Sequence, residues 1–588
     1  MSIWLKKLEN FAPDISGVTK KFPLTIIFLA IGTLLVIALT NDYLPEKGDF
    51  WPLMALGFFT AAIFATAGRL FSQSRGGNII SIMFLEIIIP IAVISSMQIK
   101  SFSLFFPFFL PIIGVFWLSV SPFTKIGKGE ERQKIQDKFW IVNHRAVASA
   151  IIAGAGFLII ALGVVAIERS LYFLFGLDIS KIFYEYLLPF SGLFLVPLYW
   201  LSTTQDLDKI SANELESPDF ISKAIGFLGQ FLFVPFLLAY ALILLVYAVQ
   251  IVFTQELPVG TLGWMVLGFT ITGAVAWLLV YPSFMHQKTL VRLFRFSWFW
   301  LTLIPLIMFA IGVYIRVQAY GLTEPRMLLI AGGVWAILLS IFFLSNKLAD
   351  IRLMPLLACV IFLVLSMGPF NISNLPIINQ AARLQSAISN AIPIAQSTFE
   401  NPQWSKEGAK KAIGALTYLY NDDAGKVKLQ DLFSQNGLEY NPTSSLLDQL
   451  KQLKLDSFKS EDADIFHSLE PVNNNYPNLY DTPYYLGGVE IYKHASMPVY
   501  IGELGFGVSP KAININTKNS EVISIKLADW LKEQEDELLT NPEINFTIDN
   551  INYRLIVEFI AFNKNSSDDL DLERLEALLF SSEKPSAK

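Results

Sequence analysis

A carboxylate stands inside an apolar run at Met83-Phe84-Leu85-Glu86-Ile87-Ile88-Ile89-Pro90. In hydrocarbon such a group costs about 2.5–3.5 kcal/mol on insertion scales unless a partner or water meets it. A Glu so placed can take up and release a proton, which points to an ion or proton site beside a proline break. The competing reading is a carboxyl that ties two helices together. Glu185 lies near the end of a later apolar run, where its side chain can reach the interface. A further set gathers at Arg316 and Tyr320-Gly321-Leu322-Thr323-Glu324-Pro325-Arg326. There Thr323, Glu324 and Pro325 predict a helix start with proline in the first turn.

Other chemistry is excluded by spacing. The histidines His144, His286, His467 and His494 never stand four apart, so no HExxH zinc helix exists, and no metal-ligand set is predicted. Ile126-Gly127-Lys128-Gly129 lacks the spacing that wraps a phosphate, and no GxSxG elbow occurs. Gly502, Gly505 and Gly507 fall between strand-like runs and read as a turn. No cofactor motif is found. Cys359, the single cysteine, sits in an apolar run and reads as a small core residue. The loop holding Asp42, Glu46 and Asp49 has acidic residues where membrane glycosyltransferases that use lipid-linked sugars keep theirs, but it is only about ten residues long.

These residues need elements to hold them. The chain has 588 residues, 53% hydrophobic and only 16% charged, against about 25% charged in soluble domains. About 25 Lys+Arg and 20 Asp+Glu precede residue 371, and about 19 and 30 follow it, so an apolar body carries an acidic tail. That balance excludes a nucleic-acid partner, which needs a basic face. Eleven apolar runs are long enough to cross a bilayer as helices: Phe22–Thr40, Trp51–Gly68, Ile79–Met97, Phe102–Val120, Val147–Ile167, Tyr184–Leu201, Leu228–Phe253, Leu262–Tyr281, Phe296–Tyr314, Met327–Leu344 and Met354–Pro369. Ala148, Ala150, Ala153, Gly154 and Gly156 predict a thin helix face that neighbours approach closely. Pro90, Pro107, Pro111, Pro189, Pro197 and Pro235 interrupt several runs. Two neighbours share an echo, Phe194-Leu195-Val196-Pro197 and Leu232-Phe233-Val234-Pro235.

With the N-terminus inside, inner loops hold about 19 Lys+Arg, six of them in the loop from Lys125 to Arg145, and outer loops about 6. The expected fold is therefore an all-α polytopic membrane bundle of about eleven helices followed by a soluble α+β domain. Its parts are a cytoplasmic segment (1–21), in which Ile3, Trp4, Leu5, Leu8 and Phe11 can lie on the headgroups, a transmembrane body (22–370), an amphipathic connecting helix (371–400) and the tail (401–588). Within the tail, helices are expected near Ser405–Tyr420, Ser444–Leu455, Ala528–Leu539 and Leu570–Leu579. Strands are expected at Val489–Tyr492, Val499–Gly502, Ala512–Asn516, Val522–Leu527, Ile544–Ile548 and Tyr553–Phe562.

The run Arg316…Tyr320-Gly321-Leu322-Thr323…Arg326, with Gly368-Pro369-Phe370 and Gln380…Arg383-Leu384, resembles the bacterial domain-of-unknown-function 4153 family of inner-membrane proteins. The resemblance implies a polytopic body in the bacterial inner membrane with the tail in the periplasm; it brings no substrate and no catalytic residues. Three functions fit: a permease-like, proton-coupled transporter of a small solute; an envelope scaffold or sensor whose tail binds a periplasmic protein, with the tyrosine-rich stretch Tyr476–Tyr485 as the candidate contact; and a membrane enzyme acting on a lipid-linked substrate.

Overall fold

The computed structural model describes residues 15–45, 47–77, 79–99, 105–204, 215, 220–254, 262–345, 349–392, 402–441, 444–455, 458, 465–469, 482–492, 499–501, 504–509, 512–517, 522–526, 530, 543–548, 551–564 and 570–583. The headgroup segment before residue 15, Glu46, Gly502 and the stretch 470–481 lie outside them. Helix expected at Ala528–Leu539 also falls outside, save for Trp530.

Each apolar run forms a helix. Among the described residues, eight are long and apolar enough to cross a membrane: α1 (Pro23–Thr40), α2 (Phe50–Arg75), α5 (Glu130–Phe175), α6 (Ile182–Ser202), α7 (Ser222–Thr254), α8 (Leu262–Leu279), α9 (Thr289–Tyr320) and α10 (Glu324–Leu344). Three apolar helices are shorter: α3 (Ile80–Ser96), α4 (Pro107–Phe123) and α11 (Leu353–Ser366). The chain is a multi-pass membrane protein, because helices this apolar close their own backbone hydrogen bonds and leave their side chains to lipid.

Helix α5 corrects one expectation. The basic stretch expected as an inner loop is helical from Glu130 onward, so Lys134, Lys138 and Arg145 lie on the first turns of a 46-residue helix. At 1.5 Å per residue it is about 70 Å long, over twice the apolar thickness of a bilayer. Its glycines do not serve as expected either: a Cβ at Gly154 or Gly156 would meet nothing within 4 Å. Close approach occurs elsewhere. A methyl group on Gly273 of α8 would fall inside the Trp298 indole of α9, so only glycine admits that ring. Trp298 anchors an aromatic core that includes Phe269, Trp277, Phe294, Phe299 and Phe343 from α8, α9 and α10.

The prolines shape three helices in one way, at four places. One-turn π segments occupy Phe84–Ile88, Ile182–Leu187, Ser191–Leu195 and Gly229–Phe233. After each, the residue just before a proline donates its N–H five residues back: Ile89 to Phe84, Leu188 to Phe183, Val196 to Ser191 and Val234 to Gly229. Proline has no N–H and its ring crowds the carbonyl four residues earlier; widening the preceding turn by one residue relieves that clash. Both copies of the Val-Pro echo sit at this feature.

Compact units divide between Arg383 and Leu384, residues 421–428 grouping with the first. After α11 come α12 (Asn374–Ala391), α13 (Lys406–Tyr420), α14 (Asp423–Gln435) and α15 (Leu446–Gln452). Ser445 and Asp448 form a capping box that starts α15. The C-terminal region is β-rich. Strands β1 (Ile465–Leu469), β2 (Tyr484–Tyr492), β7 (Glu543–Ile548), β8 (Ile551–Lys564) and β9 (Leu570–Ser581) make a sheet ordered β1-β8-β9-β2, with β7 also on β8. The second sheet runs β3 (Val499–Ile501), β4 (Leu504–Ser509), β5 (Ala512–Thr517) and β6 (Val522–Lys526) in order. One core of Val489, Phe506, Ile515, Leu555, Val557 and Leu579 among others joins them.

Two tail expectations are overturned. Leu570–Leu579 is strand, not helix: it pairs antiparallel with both β8 and β2, and Leu575, Ala577 and Leu579 point inward at period two. The sequence there satisfies helical spacing equally well, and pairing on both edges decides. Gly505 and Gly507 are not turn residues but lie in β4, where Gly505 stands opposite Tyr500 and leaves room for its ring.

Candidate functional site

Glu86 occupies the centre of the π-turn of α3. Helix α2 approaches it through a run of small residues, Ala61, Ala62, Ala65, Ala67 and Gly68, all buried. The backbones come so near that a Cβ at Gly68 would stand 2.7 Å from the Leu85 carbonyl oxygen. The next residue on α2, Arg69, therefore faces the next residue on α3. Its Nη1 lies 3.5 Å from Glu86 Oε1, with side-chain exposures of 28% and 4%. Charges attract across that gap, but Glu86 Oε1 and Arg69 Nε make no hydrogen bond. This is a loose ion pair. Arg69 was not foreseen from the sequence; a lone cation ending a small-residue run was the available signal.

Glu185 sits in the corresponding π-turn of α6, again four residues before a proline. Its side chain pairs with Lys181 at 3.6 Å, one turn away near the helix start. Pro189 deprives the Glu185 carbonyl of its ordinary donor, and the Thr40 hydroxyl of α1 donates to it at 3.4 Å. Beside it, the Tyr43 and Tyr186 hydroxyls share a hydrogen bond of 2.5 Å. Glu168, near the end of α5, is 4% exposed and accepts from the Tyr184 hydroxyl at 3.4 Å, with Arg169 at the same distance. Asp42 and Asp49 are both exposed in the loop between α1 and α2, Asp42 with φ of 55°.

Residues around the α9–α10 turn are brought together, but as a clasp. Gly321 has φ of 75°, and a Cβ there would meet Gln380 Nε2 at 2.6 Å and Arg383 Cδ at 2.7 Å. Gln380 of α12 donates to the Tyr320 and Leu322 carbonyls at 3.0 and 2.9 Å. Arg383 donates to the Gln318 and Ala319 carbonyls at 3.0 and 2.8 Å, satisfying the open end of α9. Arg326 donates to the Gly321 carbonyl at 2.8 Å and covers the Tyr320 ring. Arg316 and Glu324 flank this turn, at the end of α9 and the start of α10. Gly368, with φ of 73°, opens the 3-10 turn Gly368–Phe370 that leads to buried Asn371.

Sequence spacing missed two polar knots on the first turns of α5. In one, Asp350 accepts from Arg352 at 2.7 and 3.0 Å and from Arg132 at 3.1 Å. Burial, the largest influence, pushes this carboxyl up, but the hydrogen bonds and charge of Arg352, with help from Arg132, outweigh it and hold Asp350 below the usual range. In the other, the Tyr281 hydroxyl donates to Asp137 at 2.7 Å, and Gln133 donates to both at 2.9 Å. Arg295 lies over the Trp277 ring at 4.8 Å, and His286 meets the Tyr281 carbonyl at 2.8 Å. Burial, then the Arg295 charge, lowers the His286 imidazole below its ordinary value. Partners here come from loops more than a hundred residues away, which local spacing cannot register. Among the described residues no three His, Cys, Asp or Glu side chains gather as metal ligands.

An uncharacterized protein of Pasteurella multocida is 24% identical over 295 residues, 48% of this chain and 49% of the relative. The chain thus spans about half the length of that curated relative. No solved structure matches. The family model described as Domain of unknown function (DUF4153) matches residues 21–391, from the lead-in of α1 to the last residue of α12, and the chain belongs to that family.

Proposed function

We propose that the chain is a permease-like transporter of the bacterial inner membrane, coupled to protons through Glu86. On this reading all eleven apolar helices cross, the N-terminus is cytoplasmic, and the tail is an α+β domain in the periplasm. The carrying observation is the contrast between two ion pairs. Asp350 is fixed by hydrogen bonds of 2.7 to 3.1 Å from two arginines, the arrangement of a structural lock. Glu86 is as deeply buried yet meets Arg69 only at 3.5 Å, in a π-turn, with its oxygen short of a donor. A carboxylate so placed has fewer hydrogen bonds to give up on taking a proton than Asp350 has.

The test is proton entry into proteoliposomes carrying a trapped pH dye under an imposed pH gradient. Wild type should admit protons faster than protein-free vesicles, and Glu86→Gln should not; equal entry by wild type and Glu86→Gln would refute the assignment. Topology is checked by Ser405→Cys in a Cys359→Ser background, Ser405 being exposed. An impermeant maleimide should label it from the periplasmic side.

The scaffold or sensor reading draws on the tail, whose two sheets bury a core of their own and lie beyond the family match, which ends at residue 391. Deleting residues 402–588 separates the two. A transporter retains proton entry, whereas a scaffold loses its cellular role entirely.

A further inference from the structure

We propose that Arg69 is a carboxylate-binding site that protonation of Glu86 exposes, so that one proton and one small carboxylate anion are carried together. The inference rests on the proton-coupled reading and names its substrate class.

Charge balance makes the argument. Guanidinium stays cationic at every accessible pH. In the deprotonated state Glu86 balances Arg69 and the pair is neutral. When Glu86 takes a proton, an unbalanced cation is left beside a carboxyl group that is 4% exposed, in a setting of low dielectric. Neutrality returns only when another anion arrives; the other relief is for the arginine to turn its charge toward water. Two features favour the anion. Arg69 Nε makes no hydrogen bond, so a donor is already free. Its present counter-charge is itself a carboxylate, so the ligand that can replace it shares that planar two-oxygen group, which guanidinium binds bidentately. Gly68 and the π-turn fix how near the two helices stand, so the backbone keeps Arg69 and Glu86 side by side whichever charge Glu86 carries.

The step balances. The Glu86 carboxylate gains the proton, the incoming anion pairs with Arg69, and the site remains neutral before and after loading. Transport of proton plus anion is therefore electroneutral.

The experiment uses full-length protein in proteoliposomes with a trapped pH dye, comparing external succinate, glutamate and gluconate, whose acids cross bare lipid poorly, with chloride, and protein-free vesicles as background. Expected is at least a several-fold faster proton entry with one or more carboxylates than with chloride, unchanged by a potassium diffusion potential. Arg69→Gln should abolish the carboxylate dependence. Arg69→Lys, which keeps the charge but not the bidentate fork, should weaken it, and the Arg69→Gln/Glu86→Gln pair provides a neutral control for folding. Proton entry that is equal in chloride and in every carboxylate would overturn the inference while leaving proton coupling standing. An absence of proton entry in any salt would overturn both.

Discussion

Gly68 and Leu85 meet backbone to backbone: a Cβ on the glycine would lie 2.7 Å from the leucine carbonyl oxygen. Neither atom can yield as a flexible side chain would, so the helices must part to admit a methyl group. Gly68→Ala should cost about 1–3 kcal/mol of stability, as overpacking does. It should also slow proton entry by pulling Glu86 from Arg69. Thermal unfolding in detergent together with the dye assay reads both. Gly154→Ala, where nothing lies within 4 Å, should leave them unchanged.

Removing one member of the Glu86–Arg69 pair strands the other charge. Arg69→Ala should destabilise the protein by about 3 kcal/mol. Adding Glu86→Gln to Arg69→Ala should recover most of that loss, because the double variant buries no unpaired charge. A double-mutant cycle on unfolding midpoints measures the coupling, and additive losses would show that the residues do not interact.

The clasp around Gly321 predicts a local effect. Its φ of 75° and the nearness of Gln380 and Arg383 leave no place for a side chain, so Gly321→Ala should cost about 1–3 kcal/mol. Arg383→Ala removes two hydrogen bonds to the end of α9. Hydrogen exchange should rise at the amides of α12 in both variants, while proton entry through Glu86 should persist.

Acid should loosen the Asp350 knot. Its folded-state value is depressed, so the stability it brings is complete above the unfolded carboxyl value of 3.8 and is lost as pH falls through the lower folded value. Unfolding midpoints followed from about pH 7 to about pH 3 should therefore drop at the acid end. Asp350→Asn should lose about 3 kcal/mol near neutrality, because Arg132 and Arg352 are left without their anion. It should also flatten the acid limb.

The helical body was legible because the apolar runs are long and their backbones have no other way to pair in lipid. What spacing does not carry is where polar residues far apart in sequence converge. Glu86 is a charge in oil, while its partner Arg69 lies at the edge of an apolar run, where a cation is ordinary. Asp137 and Asp350 sit outside the apolar cores, among residues that read as loop. The π-turns follow from prolines that were visible, yet only the donor pattern, five residues back rather than four, distinguishes them from plain kinks. In the tail, Leu570–Ser581 shows the opposite limit: a sequence compatible with helix takes the strand state because β8 and β2 offer it partners on both sides.

Infrared difference spectroscopy of the carboxylic C=O stretch tests the role of Glu86 most directly, on reconstituted protein cycled between mildly alkaline and mildly acidic buffer. A band belonging to a protonated buried carboxyl should appear on acidification, vanish in Glu86→Gln and shift in Arg69→Gln. A spectrum that Glu86→Gln leaves unaltered at every pH would contradict proton exchange at this residue.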